Sequence, residues 1–354
     1  MKINKIVLLT LILLLSMVFS ISSSAQRVVT ISTDPVDSGT YAATAGLANI
    51  INMYNKTGMT LKVKPTTGPQ ELSGLLASGE SELIVLSQGN AQSSWLTKGD
   101  FQIYDKINKV TPTRLLFGST VDYLSAYTIN GTGILTGADL KGKRYIGKFT
   151  SGPISTKEAE GFLANWGLTN DDVIMVTVPS FGATTSVMTE GKADACGEAQ
   201  PNQAGLIELD AVKGVRFLSL NTDPEALKAY EKVLNEVMNM PISWAWVDPN
   251  PNIIGVKERT AMLTFRDYYM CRPDKISDEE AYAIVEALWD HMDLVSTINA
   301  SFSLLKEPEM LIIGTPAVPY HPGAIKFYKE KGIWTQALDD RQAELLALEA
   351  EEMK

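Results

Sequence analysis

VVTISTDPVDSGTYAATAGLANIINMY, residues 28–54, is the stretch that decides how the rest of the chain is read. Val28, Val29 and Ile31 are β-branched and run into Asp34 and Pro35, which predicts a short buried strand, paired in parallel, opening into a turn. Leu47, Ile50, Ile51 and Tyr54 then recur at the i, i+3, i+4, i+7 spacing of one helix face, with Ser38 or Thr40 offering an N-cap oxygen. The start of such a helix leaves backbone N–H groups unpaired and carries positive partial charge. It therefore suits a carboxylate or another polar anion at the strand's C-terminal end. The same turn is also needed simply to close a crossover in an α/β protein, so it indicates a fold before it indicates a ligand.

The chain has 354 residues, 45% of them hydrophobic, enough for a sizeable core and more in keeping with two domains than one. At the N-terminus Lys2 and Lys5 precede an apolar run over residues 6–21, followed by Ser22, Ser23, Ser24 and Ala25. That order reads as a secretory signal over residues 1–25, cut near Ala25 and Gln26, and the run is short for an anchor helix. No cysteine stands at the cut to carry a lipid. Without the two lysines the basic count falls from 31 to 29 against 41 acidic residues, a formal charge of -12, so nucleic acid is not an expected partner. Cys196 and Cys271 are the only cysteines; in an exported chain they allow one disulfide, although apolar surroundings suit buried thiols equally well.

Beyond the opening unit, residues 61–64 read as a strand, Leu72, Leu75 and Leu76 as the apolar side of a helix stopped at Gly79, and residues 83–86 as a third strand. This βαβαβ order returns. Residues 144–147 form a strand, and Ala159, Phe162, Leu163 and Trp166 a helix closed by Gly167. Residues 173–178 form the next strand, Val187 and Met188 belong to a helix ended by Gly191, and residues 193–196 form a third strand. SGESEL at 78–83 and EGKADA at 190–195 share helix end, glycine, two residues, acid and apolar residue. Two look-alike lobes are expected, with crossings at residues 115–129 and 252–265 and a small-molecule cleft between them. The expected boundaries are 26–125 for the first part of lobe one, 126–255 for lobe two, and 256–354 for the return to lobe one. Within that last part, residues 279–292 read as an amphipathic helix and residues 341–353 as a terminal helix packed on lobe one.

DSGTYAATAGLANIIN, TTGPQELSGLLASGESELIVLSQGNA, DLKGKRYIGKFTSGP, MTEGKADACGEAQ and, near the C-terminus, YHPGAIKFYKEKGIW together resemble the TAXI-type solute receptors of TRAP transporters, over nearly all of the mature chain. The resemblance implies a two-lobed fold of the periplasmic-binding-protein type (type II) and an extracytoplasmic location. It also implies capture of a small solute, typically a carboxylate such as an amino acid or dicarboxylate, and delivery to integral membrane subunits by a monomeric receptor without a cofactor. Two departures stand out: Asp34 and Asp37 occupy a loop that is richer in small residues in the family, and the second-lobe loop reads FTSGPIST. Carboxylates there repel an anion unless they point away or are neutralised, so an amine-bearing, neutral or cation-bridged solute stays open.

The expected ligand contacts are Ser38, Gly39, Thr40 and Tyr41 at the first helix start, and Thr67, Ser87 and Gln88 at the neighbouring strand ends. Thr150, Ser151, Gly152 and Ser155 come from the second lobe, with Phe181 as an apolar wall, Tyr123 near the hinge and Glu198 as the partner of any amine. Trp244 and Trp246 alternate with Ala245, as core packing or a ligand platform would both require. Arg144, Lys148 and His321 are explained without a ligand. GADLKGKR at 137–144 is a near miss to a phosphate loop, but Arg144 replaces the hydroxyl that magnesium needs and the stretch precedes a strand. There is no HExxH, no G-x-S-x-G and no Cys/His cluster with metal spacing, so no catalytic residue or metal site is assigned. A ligand sensor and an exported carboxylate-based hydrolase on the same frame are the alternatives to a transport receptor.

Overall fold

The opening strand β1 (Val28–Thr33) buries Val29 and Ile31 and pairs in parallel with β2 (Thr60–Pro65) on one side and β3 (Leu83–Ser87) on the other. A computed structural model describes residues 27–354, except 37, 99–100, 102–109, 151–152, 202, 237–241, 252, 299–301 and 303–306. The secretory signal expected at 1–25 and Asp37 lie outside the described residues. Helix α1 (Gly39–Tyr54) joins β1 to β2 and lays Leu47, Ile50 and Ile51 on the sheet. Tyr54 leaves that face: it is 39% exposed and stacks on the His291 ring at 3.6 Å. Helix α2 (Pro69–Ser78) starts on a proline and ends at Gly79, which takes the left-handed φ of 77° that glycine adopts without a steric penalty.

After β3 come α3 (Gln88–Trp95) and the long strand β4 (Arg114–Ile129), then β5 (Arg144–Phe149), α4 (Pro153–Asn165), β6 (Ile174–Val178), α5 (Thr184–Thr189) and β7 (Ala195–Ala199). Helix α6 (Ala204–Lys213), β8 (Val215–Phe217), α7 (Pro224–Leu234) and β9 (Ser243–Val247) lead to the second long strand, β10 (Thr260–Cys271). The chain closes with α8 (Asp278–Trp289), α9 (Met292–Val295), α10 (Pro322–Glu330) and α11 (Gln336–Glu352). Among the described residues no helix is long and apolar enough to cross a membrane.

The duplicated pattern becomes a duplicated topology. One half of the sheet runs β2-β1-β3-β10 and the other β6-β5-β7-β4, so in each the first strand lies between the second and third and the third meets an antiparallel crossing strand. The shared acid of the two look-alike segments does the same work in both. Glu82 Oε2 accepts a hydrogen bond from Thr30 N at 2.8 Å, and Asp194 Oδ2 accepts one from Arg144 N at 2.9 Å. The paired returns, Glu82 N to Thr30 O and Asp194 N to Arg144 O, close the same loop from the other side.

Each half has its own core. Ile31, Leu47, Ile84, Phe117, Tyr269 and Leu288 belong to one, and Tyr127, Ile146, Phe162, Cys196, Phe217 and Met262 to the other. The two cysteines fall in different cores as free, buried thiols, so the disulfide that export would allow is not formed. Helix α11 is fastened to the first lobe through Glu349, which accepts hydrogen bonds from both Arg114 guanidinium NH groups at 2.8 Å and from Trp95 Nε1 at 2.7 Å.

Among the described residues only the strands β4 and β10 belong to both lobes, and they run antiparallel beside each other from Leu263↔Leu124 to Cys271↔Arg114. The return crossing expected over 252–265 is a strand only from Thr260, and it continues past Phe265 to Cys271 deep in the first lobe. The phosphate-loop look-alike is a short 3-10 turn, residues 137–140, on which the Trp166 ring lies so closely that a Cβ on Gly137 would overlap it.

The clasps formed by Glu82 and Asp194 sit in separate lobes, which makes their contributions independent. Glu82→Ala and Asp194→Ala are each expected to cost about 1–3 kcal/mol, and the double variant to cost their sum, in urea denaturation followed by circular dichroism. A strongly non-additive double variant would contradict the separation of the lobes.

Candidate ligand-binding site

The register of the long strands fixes where the strand ends point. In lobe one, Leu83 pairs with Cys271 and Ser87 with Asp267, so β3 ends nearest the crossing. In lobe two, Ala195 pairs with Thr128 and Ala199 with Ser125, so β7 also ends nearest the crossing. Both sets of parallel strands therefore open toward the same gap. Asp267 lies beside Ser119, whose Oγ accepts from its backbone N–H at 3.0 Å, and the two mouths are separated along β4 by roughly 20 Å of strand.

The first mouth is built where α1 starts. Ser38 caps the helix, its hydroxyl accepting from Tyr41 N at 3.0 Å, so that oxygen is engaged within the chain. Gly39 has open space where a Cβ would stand. Thr40 hydrogen-bonds two carboxyls, Asp34 from the end of β1 and Asp267 from β10. Burial pushes Asp34 up from 3.8 to about 6, against the lowering effect of Thr40. Asp267, 8% exposed, is driven well above the usual carboxylate range, first by burial and then by the negative charges of Asp122 and Asp34. Behind them a hydroxyl chain ties the helix to the sheet. Thr44 Oγ1 lies 3.3 Å from Thr33 Oγ1 and 3.2 Å from the Tyr269 hydroxyl, and donates to Thr40 O at 2.7 Å. The Tyr269 ring is in turn stacked on Phe117 at 4.5 Å.

The second mouth is built where α4 starts. Ser155, on its first turn, and Glu158, one turn in, both hydrogen-bond Glu198 from the end of β7. Glu198 is 7% exposed and is moved by burial from 4.5 to about 7, while Glu158 is raised further by burial and by the charge of Glu198. Both carboxyls are raised, so the pair shares a proton and does not ionise together, as neighbours in a desolvated site do. Phe181 stacks on Phe149 at 5.6 Å and forms an apolar flank.

The remaining expected contacts distribute around these centres. Thr67 is exposed and both its hydroxyl and its N–H donate to Glu71 at 2.8 Å, which makes it part of the α2 cap. Ser87 accepts from the Asn90 side chain at 3.0 Å, and Gln88 is half-buried beside it. Tyr123 is half-buried on β4 opposite Thr264. Thr150 is exposed and donates to Pro179 O at 3.1 Å. Ser151 and Gly152 lie outside the described residues. Away from the gap, Arg144 is paired with Asp194 at the far end of β5, and His321, 1% exposed, caps α10 by accepting from Gly323 N. Trp244 and Trp246 meet edge to face at 5.8 Å, with Trp246 44% exposed under Arg259.

Asp122, Asp267 and Glu158 are absent from the expected set, and so are the supporting Thr44 and Tyr269. The first two did leave a signal. Each is an aspartate followed by tyrosine inside a long strand, VDY at 121–123 and RDY at 266–268, where aspartate is disfavoured. Among the described residues no group of three or more His, Cys, Asp or Glu is arranged to hold a metal ion.

Solved structures with a similar chain path include the periplasmic aliphatic sulphonate binding protein SsuA from Escherichia coli, at 12% identity and a TM-score of 0.46, covering 93% of this chain and 84% of that one. A putative sulfonate ABC transporter periplasmic protein from Methylobacillus flagellatus KT matches at 14% identity and a TM-score of 0.49, covering 92% and 94%. An ABC transporter from Parabacteroides distasonis matches at 16% identity and a TM-score of 0.45, covering 92% and 89%. A family model matches residues 31–332, from the first strand through the helix that follows His321, and by that match the chain belongs to the NMT1-like family.

Proposed function

We propose that the chain is an extracytoplasmic solute receptor that captures a small polar solute of amino-acid type between its lobes and delivers it to the integral membrane subunits of a TRAP transporter. The observation that carries this reading is the strand register: β3 and β7 end on the same gap, spanned by two neighbouring strands. A gap flanked by two separate cores and joined by a ribbon can close on a guest, and the ends of parallel strands are where α/β folds hold ligands. The transporter type rests on the motif resemblance, and the location on the expected signal.

The acids favour an amino acid over a dicarboxylate. Asp34, Asp122 and Asp267 on one side and Glu158 and Glu198 on the other make a poor lining for two carboxylates. A solute that carries nitrogen as well as a carboxylate meets that lining, and its carboxylate suits the start of α1. Binding without turnover is supported by the two histidines: His321 is a buried cap, and His291 stacks on Tyr54 with Nδ1 2.9 Å from Ala287 O.

Mass spectrometry of small molecules released from protein purified without refolding is expected to give a single solute in near 1:1 amount, unaltered after prolonged incubation; recovery of a transformed product would favour an enzyme. Gly39→Phe places a ring in open space at the first mouth, and Tyr41→Ala removes the neighbouring side chain. Each is expected to weaken binding of that solute by about tenfold or more in calorimetry while the melting temperature of the empty form stays within about 2 °C. Unchanged affinity in both discards the first mouth as a contact.

Asp34 supplies a pH test. Its value in the fold lies above its unfolded one, so the fold holds an extra proton between pH 3.8 and about 6; this contribution is complete below that window and is lost as the pH rises through it. Keeping the charged carboxylate at neutral pH costs up to about 3 kcal/mol. Asp34→Asn is therefore expected to raise the melting temperature by several degrees at pH 8 and to change it little at pH 4, as read by scanning calorimetry of the empty form.

A further inference from the structure

The second mouth contains polar atoms that the chain leaves unanswered. Glu198 Oε2 and the Tyr230 hydroxyl are both buried and neither has a hydrogen-bond partner. Tyr230, on α7, and Glu158, on α4, come together because the two helices pack closely. Gly161 leaves room for the Tyr230 ring, whose carbons would lie 3.0 Å from a Cβ there, and Phe162 meets that ring edge to face at 5.1 Å. Tyr230 is within electrostatic reach of both Glu158 and Glu198. A carboxylate oxygen buried without a donor costs about 1–3 kcal/mol or more, which a fold retains where a ligand supplies the donor.

The chemistry of that donor is narrow. Glu198 accepts only, and it is placed against a second carboxyl, so an incoming anion is repelled while a protonated nitrogen with several N–H groups can serve Glu198, Glu158 and the Tyr230 hydroxyl together. The nearby Lys157 is engaged at 2.8 Å by Glu160 and at 2.7 Å by Glu236. We propose that Glu198, with Glu158, Ser155 and the Tyr230 hydroxyl around it, is the subsite for a primary ammonium group of the solute. This rests on the receptor reading and narrows its ligand to amine-bearing molecules, assigning the amine to lobe two.

Capture then displaces the proton shared by the two carboxyls. The ammonium enters with its own charge, the pair gives up its shared proton to solvent, and the closed site holds one ammonium between two carboxylates. The other titratable groups facing the pair are Tyr145 from β5, Cys196 from β7 and Tyr230 from α7, and burial raises all three, so they stay neutral and the released proton comes from the pair.

The test is calorimetric titration of the mature chain at pH 7 with L-glutamate, L-lysine, 1,4-diaminobutane and succinate, repeated in phosphate and in imidazole, neither of which carries a primary amine, beside native mass spectrometry of the protein as purified. At least one amine-bearing probe is expected to bind while succinate does not, with a buffer-dependent heat that corresponds to release of close to one proton. Glu198→Gln is expected to weaken that probe by about 10–100-fold. Tyr230→Phe, which keeps the ring and the packing, is expected to weaken it severalfold, and serves if Glu198→Gln does not fold. Tight binding of succinate, a co-purified solute without nitrogen, or an affinity for amines that both variants leave intact overturns the ammonium subsite and leaves the receptor reading standing. A protein that carries no small molecule as purified and is silent to all four probes overturns both.

Discussion

Everything in this molecule hangs on the antiparallel pairing of β4 with β10. Two strands that each pass through both halves, hydrogen-bonded to one another, oblige the third strand of each lobe to dock on a partner whose direction is already set. That is why β3 and β7 end on the same gap. It is also why the cores stay apart: the ribbon is too narrow to carry apolar surface from one to the other, so each lobe closes its own with its own helices.

Local order was the most legible part of the sequence. β-Branched runs, the 3.6-residue spacing of Leu47, Ile50 and Ile51, and glycine stops at Gly79 and Gly191 are short-range signals, and the described elements follow them closely. The repeated glycine-to-acid spacing carried more than similarity, since Glu82 and Asp194 turn out to make the same backbone contact. Less was legible at the gap. That β10 runs on past Phe265 is decided by β3 and β4 on either side of it, and a pairing partner 180 residues upstream has no local signature. Glu158 reads as an ordinary helix-surface acid; only the meeting of α4 with β7 makes it a partner of Glu198. Thr67 and Ser38 show the converse, since hydroxyls that suit a ligand are also those that cap helices, and both are engaged that way.

The acids of the two mouths have an energetic meaning of their own. In each, a carboxyl is withdrawn from water and set near another, with a hydroxyl or a shared proton as the compensation. Such arrangements weaken the empty fold and persist where they prepare a surface for something that arrives later. Asp34, raised only to about 6, still carries most of its charge at neutral pH, so it ceases to repel a solute's own carboxylate only in mildly acidic surroundings or when that carboxylate is held away from it. The hydroxyl chain of Thr33, Thr44 and Tyr269 holds the start of α1 against the sheet beneath this charge.

Arg266 has a bearing on how such a molecule moves. Its guanidinium donates to the carbonyl oxygens of Ser119, Gly118, Ile312 and Met310, knitting the two long strands to the segment before α10 at a point where their register slips. The ribbon is thus clamped by a side chain on the lobe-one side, while toward lobe two β9 flanks β10 and both β7 and β8 flank β4, like a leaf spring bolted at one end and laced at the other. A swing of lobe two would bend the paired strands where they pass between the two anchorages, near Tyr123 and Thr264, while the bolted end, with Asp267 in it, kept its aim on the guest.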